Sequence, residues 1–392
     1  MGIQAAVAGT ADSFSASQDA LNAALTRYRE IARAGGWPAV PDGPALRPGA
    51  SGPAVAALRK RLTVTGDLMD GAGDPRPFDA GLADAVERFQ ARHGLLVDGI
   101  VGRHTRKALN MPAEARVRQI AANLARLRSL PVGEEARFIL INVAGFDLAL
   151  FEDGRPVIRS PVIVGRLSRP TPVFSSTVTR IIVNPYWRVP RRIAVVDILP
   201  KVKRDPSYLS AQSIRVYANN HGEPKEVAPD SIDWRALHAS NFPYLLVQDP
   251  GPLNALGRIK FFIPNEMDVY LHDTPAKELF KQPRRTFSSG CIRVEKARDL
   301  AELLLRADNN GRLETLEDAL KTGETTEIPL VKPVPVHVVY LTAWVDADGQ
   351  VEFRDDVYGL DGLSGAGLDK IARLRRDALA CAAPANLGGI HS

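Results

Sequence analysis

Apolar and polar positions change rhythm once along this chain, near Pro131. Before it, apolar residues recur three and four apart. Leu21, Leu25, Tyr28 and Ile31, in the stretch from Asp19 to Ala34, form one helical stripe that stops at Gly35-Gly36. A Pro- and Gly-rich connector, GGWPAVPDGPALRPGASGP, follows and reads as a domain boundary. Two further amphipathic runs, VAALRKRL over 55–62 and LADAVERFQARH over 82–93, precede the turn signals Asp98-Gly99 and Val101-Gly102, with a short helix starting near His104. Together they predict a small module of three short helices. Val117, Ile120, Leu124 and Leu127 then mark another helix. It is expected to pack against the first, which makes the module an insertion in a helical scaffold.

After Pro131 the period becomes two. FILINVAGFDLALFEDGRPVIRSPVIVG alternates apolar with polar residues around the turn Glu152-Asp153-Gly154. Further strand candidates are VTRIIVNPYW, RIKFFIP, DVYLH and PVHVVYLTAWVDADGQVEFRDDV. Between them, VPRRIAVVDILPKVKRDPSYL and SIDWRALHASNFPYLLVQD read as helical or mixed. The pattern therefore predicts an α+β protein. A helical scaffold occupies 1–45 and continues over 111–130, around a three-helix domain at 46–110. A mainly β domain spans 131–325 with a lid-like insertion at about 190–250, and a segment over 326–392 completes the fold.

Composition excludes little beyond disorder. Of 392 residues, 45% are hydrophobic and 24% charged, and the formal net charge of +5 is diffuse. Such a balance does not point to nucleic acid, but it is compatible with an anionic polymer such as a cell wall. No apolar run reaches membrane-spanning length, and the opening MGIQAAVAGTADSF has neither a basic start nor a sustained apolar stretch.

The two cysteines, Cys291 and Cys381, fit no zinc or haem spacing. Cys291 lies in FSSGCIRV, and 19 positions before it stands His272 in MDVYLHD. Read as a strand, that segment turns Met267, Val269 and Leu271 to one face and Asp268, Tyr270 and His272 to the other. A thiol with a reference pKa of about 8.5 is only slightly ionised at neutral pH, so an imidazole that takes its proton makes a nucleophile. Gly290 lets backbone approach a substrate carbonyl, and amide groups around Gly290 and Cys291 are candidates for an oxyanion site. Arg293 has two roles open to it, fixing the loop through backbone carbonyls or binding a substrate carboxylate. A metal reading that joins His272, Asp273 and Cys291 to His93 or His104 is disfavoured, because His272 and Asp273 project to opposite faces and the other two lie in the helical module. Cys381 has no base nearby in sequence.

HDTPAKELF followed by RTFSSGCIRV resembles the active-site signature of the L,D-transpeptidases, cysteine enzymes of the bacterial wall. VGRLSRPTPVFSSTVTRIIVNPYWRVPRRIA, DILPKVKRDPSYL and PGPLNALGRIKFFIPN resemble the large Gram-negative branch of that family. GxxGPAVAALRKRL, FDAGLADAVERFQARHGL and VDGIVGRHTRKAL resemble its peptidoglycan-binding three-helix domain. Short members carry glycine after the histidine and a second histidine before Gly-Cys, where this chain has Asp273 and Ser289. The group that orients the histidine is thereby left open, with the Asp273 carbonyl as one candidate.

The resemblance implies acyl transfer on peptidoglycan stem peptides, with Cys291 as nucleophile, His272 as base and no metal or cofactor. Tyr270, Ser289, Arg293, Trp187 and Asn254 are then expected to bind substrate or support the cleft. It also implies 3-3 cross-linking with release of D-alanine, acylation by carbapenems and a mature periplasmic protein. Water, a D-amino acid or a lipoprotein lysine are alternative acceptors for the same thioester. A non-catalytic wall-binding protein is the reading from another class.

Overall fold

A computed structural model describes residues 11–69, 76–130, 135–220, 223–306, 312–346 and 348–362. Cys381 lies outside the described residues. The chain divides into two compact units, one formed by the chain up to Arg159 with the segment from Val339, the other by Ser160–Val338.

In the first unit, helices α1 (Ala11–Arg33) and α5 (Ala113–Arg128) flank α2 (Pro53–Thr65), α3 (Ala80–Arg92) and α4 (Arg103–Leu109) in sequence. The stripe of α1, Leu21, Leu25 and Tyr28, shares one core with Ile120, Leu124 and Leu127 of α5. Phe138 and Phe151 of the antiparallel strands β1 (Arg137–Asn142) and β2 (Asp147–Glu152) join it, as does a terminal hairpin of Ala343–Val345 with Val351–Phe353. The three inserted helices bury a core of their own, centred on Leu58, Leu62, Leu82, Val86, Phe89 and Leu109. Local signals set their ends: the Asp79 side chain accepts from the Leu82 amide at the start of α3, and Gly66 closes α2 in the left-handed region at φ 77°. Arg92 and Asp67 form a buried ion pair at 2.6 Å.

The second unit is built on a mixed sheet. Its strands are β3 (Arg155–Gly165), β4 (Phe174–Val183), β9 (Ile259–Phe262), β10 (Leu271–His272), β11 (Thr286–Ser288), β12 (Ile292–Val294) and β13 (Thr326–Val339), in the order β11-β3-β12-β10-β9-β4-β13. Helices α6 (Ala297–Arg306) and α7 (Arg312–Thr322) follow β12. Between β4 and β9 the chain forms a smaller sheet, β5 (Trp187–Arg188), β8 (Tyr244–Gln248), β6 (Ile214–Asn220) and β7 (Glu223–Val227) in that order. A helical run over 191–204, with a π turn at Ala194–Ile198, packs Ala194, Ile198 and Val202 against Val216, Trp234 and Leu246. The stretch SIDWRALHASNF is turns, not a helix.

The expected alternation in MDVYLHD is not what forms. Asp268 takes the left-handed region at φ 49°, and the Asn265 side chain accepts from the Met267 and Val269 amides while donating to the Val269 carbonyl. The chain thus wraps around Asn265, and only Leu271 and His272 enter the sheet. Met267, Val269, Tyr270, Leu271 and His272 are all buried.

Candidate active site

Strand register assembles the site. His272 lies opposite Lys260 across the antiparallel β9 and opposite Arg293 across the parallel β12. Paired residues share a face of a sheet, so the imidazole stands in a row between two cations. Burial, then Arg293 and more weakly Lys260, push the His272 pKa down to about 3. Its Nδ1 lies 2.5 Å from the Asp273 carbonyl oxygen. A carbonyl only accepts, so Nδ1 carries the proton, and the Leu256 backbone is a second, weaker hydrogen-bond partner of the ring.

Cys291, partly exposed, sits one residue before β12. Its Sγ donates to the Asp268 carbonyl at 3.7 Å, and the Tyr270 hydroxyl bonds the same sulfur while accepting from Trp187. The rings of Tyr270 and His272 lie 5.7 Å apart. Burial and the negative charges of Cys291 and Asp268 keep the phenol neutral, with its pKa well above the usual value. A neutral hydroxyl is what a thiolate needs as a donor. A charge on Cys291 favours protonated Arg293 and Lys260, and by reciprocity both cations favour the thiolate.

The cysteine loop is held from within. The Ser288 hydroxyl accepts from the Gly290 amide at 3.0 Å and donates to the Cys291 carbonyl at 2.6 Å. Thr171 donates to the Gly290 carbonyl at 2.8 Å. Gly290 has φ 118°, a conformation that L side chains rarely adopt. Its amide is therefore engaged by Ser288, which corrects the expectation that this group forms an oxyanion site. Gly290 shapes the loop.

The remaining expected residues divide. Trp187 and Tyr270 line a cavity of about 340 Å³, connected to the sulfur through the Tyr270 hydroxyl. Ser289, expected to bind substrate, instead takes hydrogen bonds from Arg169 at 2.9 Å and Arg166 at 3.2 Å, and both arginines pair with Asp197 of the π turn. Asn254 takes the supporting role of its two expected ones. It is buried, with its amide on the carbonyls of Pro185 and Asp249 and its oxygen on the Leu256 amide, so it braces a turn. The Asp273 carboxylate turns away from His272, accepting from the Arg258 amide and from Lys277. Among the described residues no hydrogen bond or ion pair is formed by the Arg293 guanidinium, so the loop-fixing role has no carbonyl to support it. His93, weighed as a ligand, is a core residue of the first unit stacked on Phe89 at 3.7 Å.

Sequence reasoning missed Ser288, Thr171, Arg169, Asp197 and Lys260. Only Ser288 carried a usable signal, as a hydroxyl three residues before the nucleophile in a glycine-containing turn. The others reach the loop from positions 31 to 120 residues upstream, through pairing that no local pattern encodes.

Residues 136–336 match the YkuD family, the L,D-transpeptidase catalytic domain, and residues 51–109 match a putative peptidoglycan binding domain. A putative L,D-transpeptidase of Haemophilus influenzae is 38% identical over 244 residues, 62% of this chain and 48% of that protein. The chain thus spans about half the length of that relative. An N-acetylmuramoyl-L-alanine amidase of Mycobacterium tuberculosis is 46% identical over 76 residues, 17% of this chain and 19% of the amidase. The solved L,D-transpeptidase of Stackebrandtia nassauensis shares 12% identity, with a TM-score of 0.28 over 77% of this chain and 96% of that one. With half its length matched by the catalytic domain, this chain belongs to the L,D-transpeptidase family.

Proposed function

We propose that this protein is a peptidoglycan L,D-transpeptidase that forms 3-3 cross-links through a thioester on Cys291. The observation that carries the reading is the neutral His272, its Nδ1 held by the Asp273 carbonyl, on the sheet face that holds Arg293 and, two residues before it, Cys291. His272 takes the thiol proton, and the sulfur attacks the carbonyl at the L-centre of diaminopimelate in a tetrapeptide donor. The tetrahedral adduct collapses, the bond to the terminal D-alanine breaks, and the imidazolium returns its proton to the leaving amine. A side-chain amine of a second stem then attacks the thioester, passes a proton to His272 and expels the thiolate. Tyr270 donates to the sulfur whenever it is charged, and Arg293 is the candidate partner for a substrate carboxylate.

The three-helix domain over 46–110 holds the chain on the wall, and the segment over 190–250 covers the cleft as a lid. The place of action is outside the cytoplasmic membrane, in the periplasm, where the polymer lies. A strained lactam presents the same carbonyl, so carbapenems acylate Cys291.

Incubation of wild type and Cys291→Ala with tetrapeptide-rich peptidoglycan, followed by mass analysis, tests the reading. Cross-linked dimers and free D-alanine from the wild type alone are expected. Equal product from both proteins removes the cysteine mechanism. Shortened stems without dimers assign water as the acceptor, a D-amino acid exchanged at the terminus assigns exchange, and wall binding without product assigns an adhesion protein.

A further inference from the structure

The cavity lined by Tyr270, whose hydroxyl bonds the Cys291 sulfur, has a use that the transfer reaction does not by itself assign. It lies on β4, β9 and the approach to β10, holds about 340 Å³, and is walled on one side by Trp187 and Tyr270. Lys260 reaches it from β9. Its ammonium stacks over the Tyr270 ring at 4.5 Å, yet among the described residues it makes no hydrogen bond and no ion pair. A largely buried ammonium without a hydrogen-bonding anion is costly, and burial accordingly lowers its pKa. The neighbouring guanidinium, Arg180, is already taken by Glu327 at 3.2 Å and by the face of Phe262 at 3.8 Å. Asp268 supplies the opposite sign at the cavity, and its carboxylate likewise forms no ion pair or hydrogen bond among the described residues. Lys260 and Asp268 attract each other across this space without forming an ion pair, so one cation and one anion face a volume the size of an amino-acid head group.

We propose that this cavity is a subsite for a zwitterionic α-amino-acid centre, with Lys260 binding its carboxylate and Asp268 its ammonium. On the reading above, this centre is the free D-end of the donor's diaminopimelate, whose L-end is attacked by Cys291. The subsite anchors the far end of the residue being acylated and selects donors in which that end is neither amidated nor already cross-linked. Lys260, opposite His272 in the register, couples this anchor to the catalytic row.

The test does not depend on transpeptidation. The alkylation rate of Cys291 by iodoacetamide is measured on the full chain with and without millimolar meso-diaminopimelate or its diamide. Each variant is its own reference, because loss of a nearby cation slows the thiol in any case. The free diacid is expected to slow alkylation of the wild type about fivefold or more and to leave Lys260→Met within about 1.5-fold, a binding difference of about 1 kcal/mol or more. The diamide protects neither, and Lys260→Arg restores protection. Equal protection by diacid and diamide overturns the proposal, as does undiminished protection in Lys260→Met with native circular dichroism. Absence of any protection in the wild type overturns it too, whatever the outcome with peptidoglycan. Protection that persists when the wild type forms no cross-links leaves the subsite standing and removes the transpeptidase reading instead.

Discussion

The Nδ1–H of His272 is held by the main-chain carbonyl of Asp273, the very next residue, at 2.5 Å. A histidine oriented by backbone does not need a carboxylate as third partner, and here the Asp273 side chain serves Arg258 and Lys277 instead. His272→Asn is therefore expected to lower transfer by about 10²–10⁴-fold, whereas Asp273→Asn, which keeps the carbonyl, stays within about tenfold. Single-turnover acylation, followed by mass, separates the two.

Gly257, at φ 62°, packs against the Asp273 side chain, and a β-carbon there overlaps its carboxylate. Gly257→Ala is expected to cost about 1–3 kcal/mol in stability and to slow acylation by displacing His272. Thermal unfolding and acylation rate are measured together. A native rate with a lowered melting temperature shows that the Asp273 carbonyl does not set the imidazole.

Ser288 closes the cysteine loop with two hydrogen bonds. Ser288→Ala leaves the buried Gly290 amide without its acceptor, at about 1–3 kcal/mol. Slower Cys291 acylation and faster hydrogen exchange at Gly290 are expected. Unchanged exchange there refutes the latch.

His272, held near pKa 3, and His93, held well below the usual value by burial and then by Arg92, stay neutral in the folded chain. Unfolded, each titrates near 6.5. Below that pH the unfolded state binds protons the folded state refuses, so stability falls as pH drops from about 6.5 toward 3. Urea midpoints at pH 7.5 and pH 5 should show the decline, and the His272 ring resonance should not titrate between them.

The Arg92–Asp67 pair is buried at 2.6 Å in a cluster where burial pulls Arg61 to about 9 and Arg116 to about 10. Asp67→Asn strips the compensating charge from Arg92 and Arg61 and is expected to cost about 3–5 kcal/mol. Denaturant unfolding of the full chain reads it, and a loss under about 1 kcal/mol shows that the pair contributes little.

What the sequence determined by itself was whatever depends on neighbours along the chain. The stripe of Leu21, Leu25 and Tyr28, the cap at Asp79 and the change of period near Pro131 are local, because propensity, capping and side-chain direction act within a few residues. The order of His272, Gly290, Cys291 and Arg293 was equally legible. Tertiary structure decided what those residues meet. It set Lys260 and Arg293 on either side of His272, although they are 12 and 21 residues away, because strand register fixes which side chains share a face. It gave the Gly290 amide to Ser288, turned MDVYLH around Asn265 and brought Arg169 to both Ser289 and Asp197. Hydrogen bonds and ion pairs across such separations follow from how the sheet is assembled, and no window of the sequence contains that assembly.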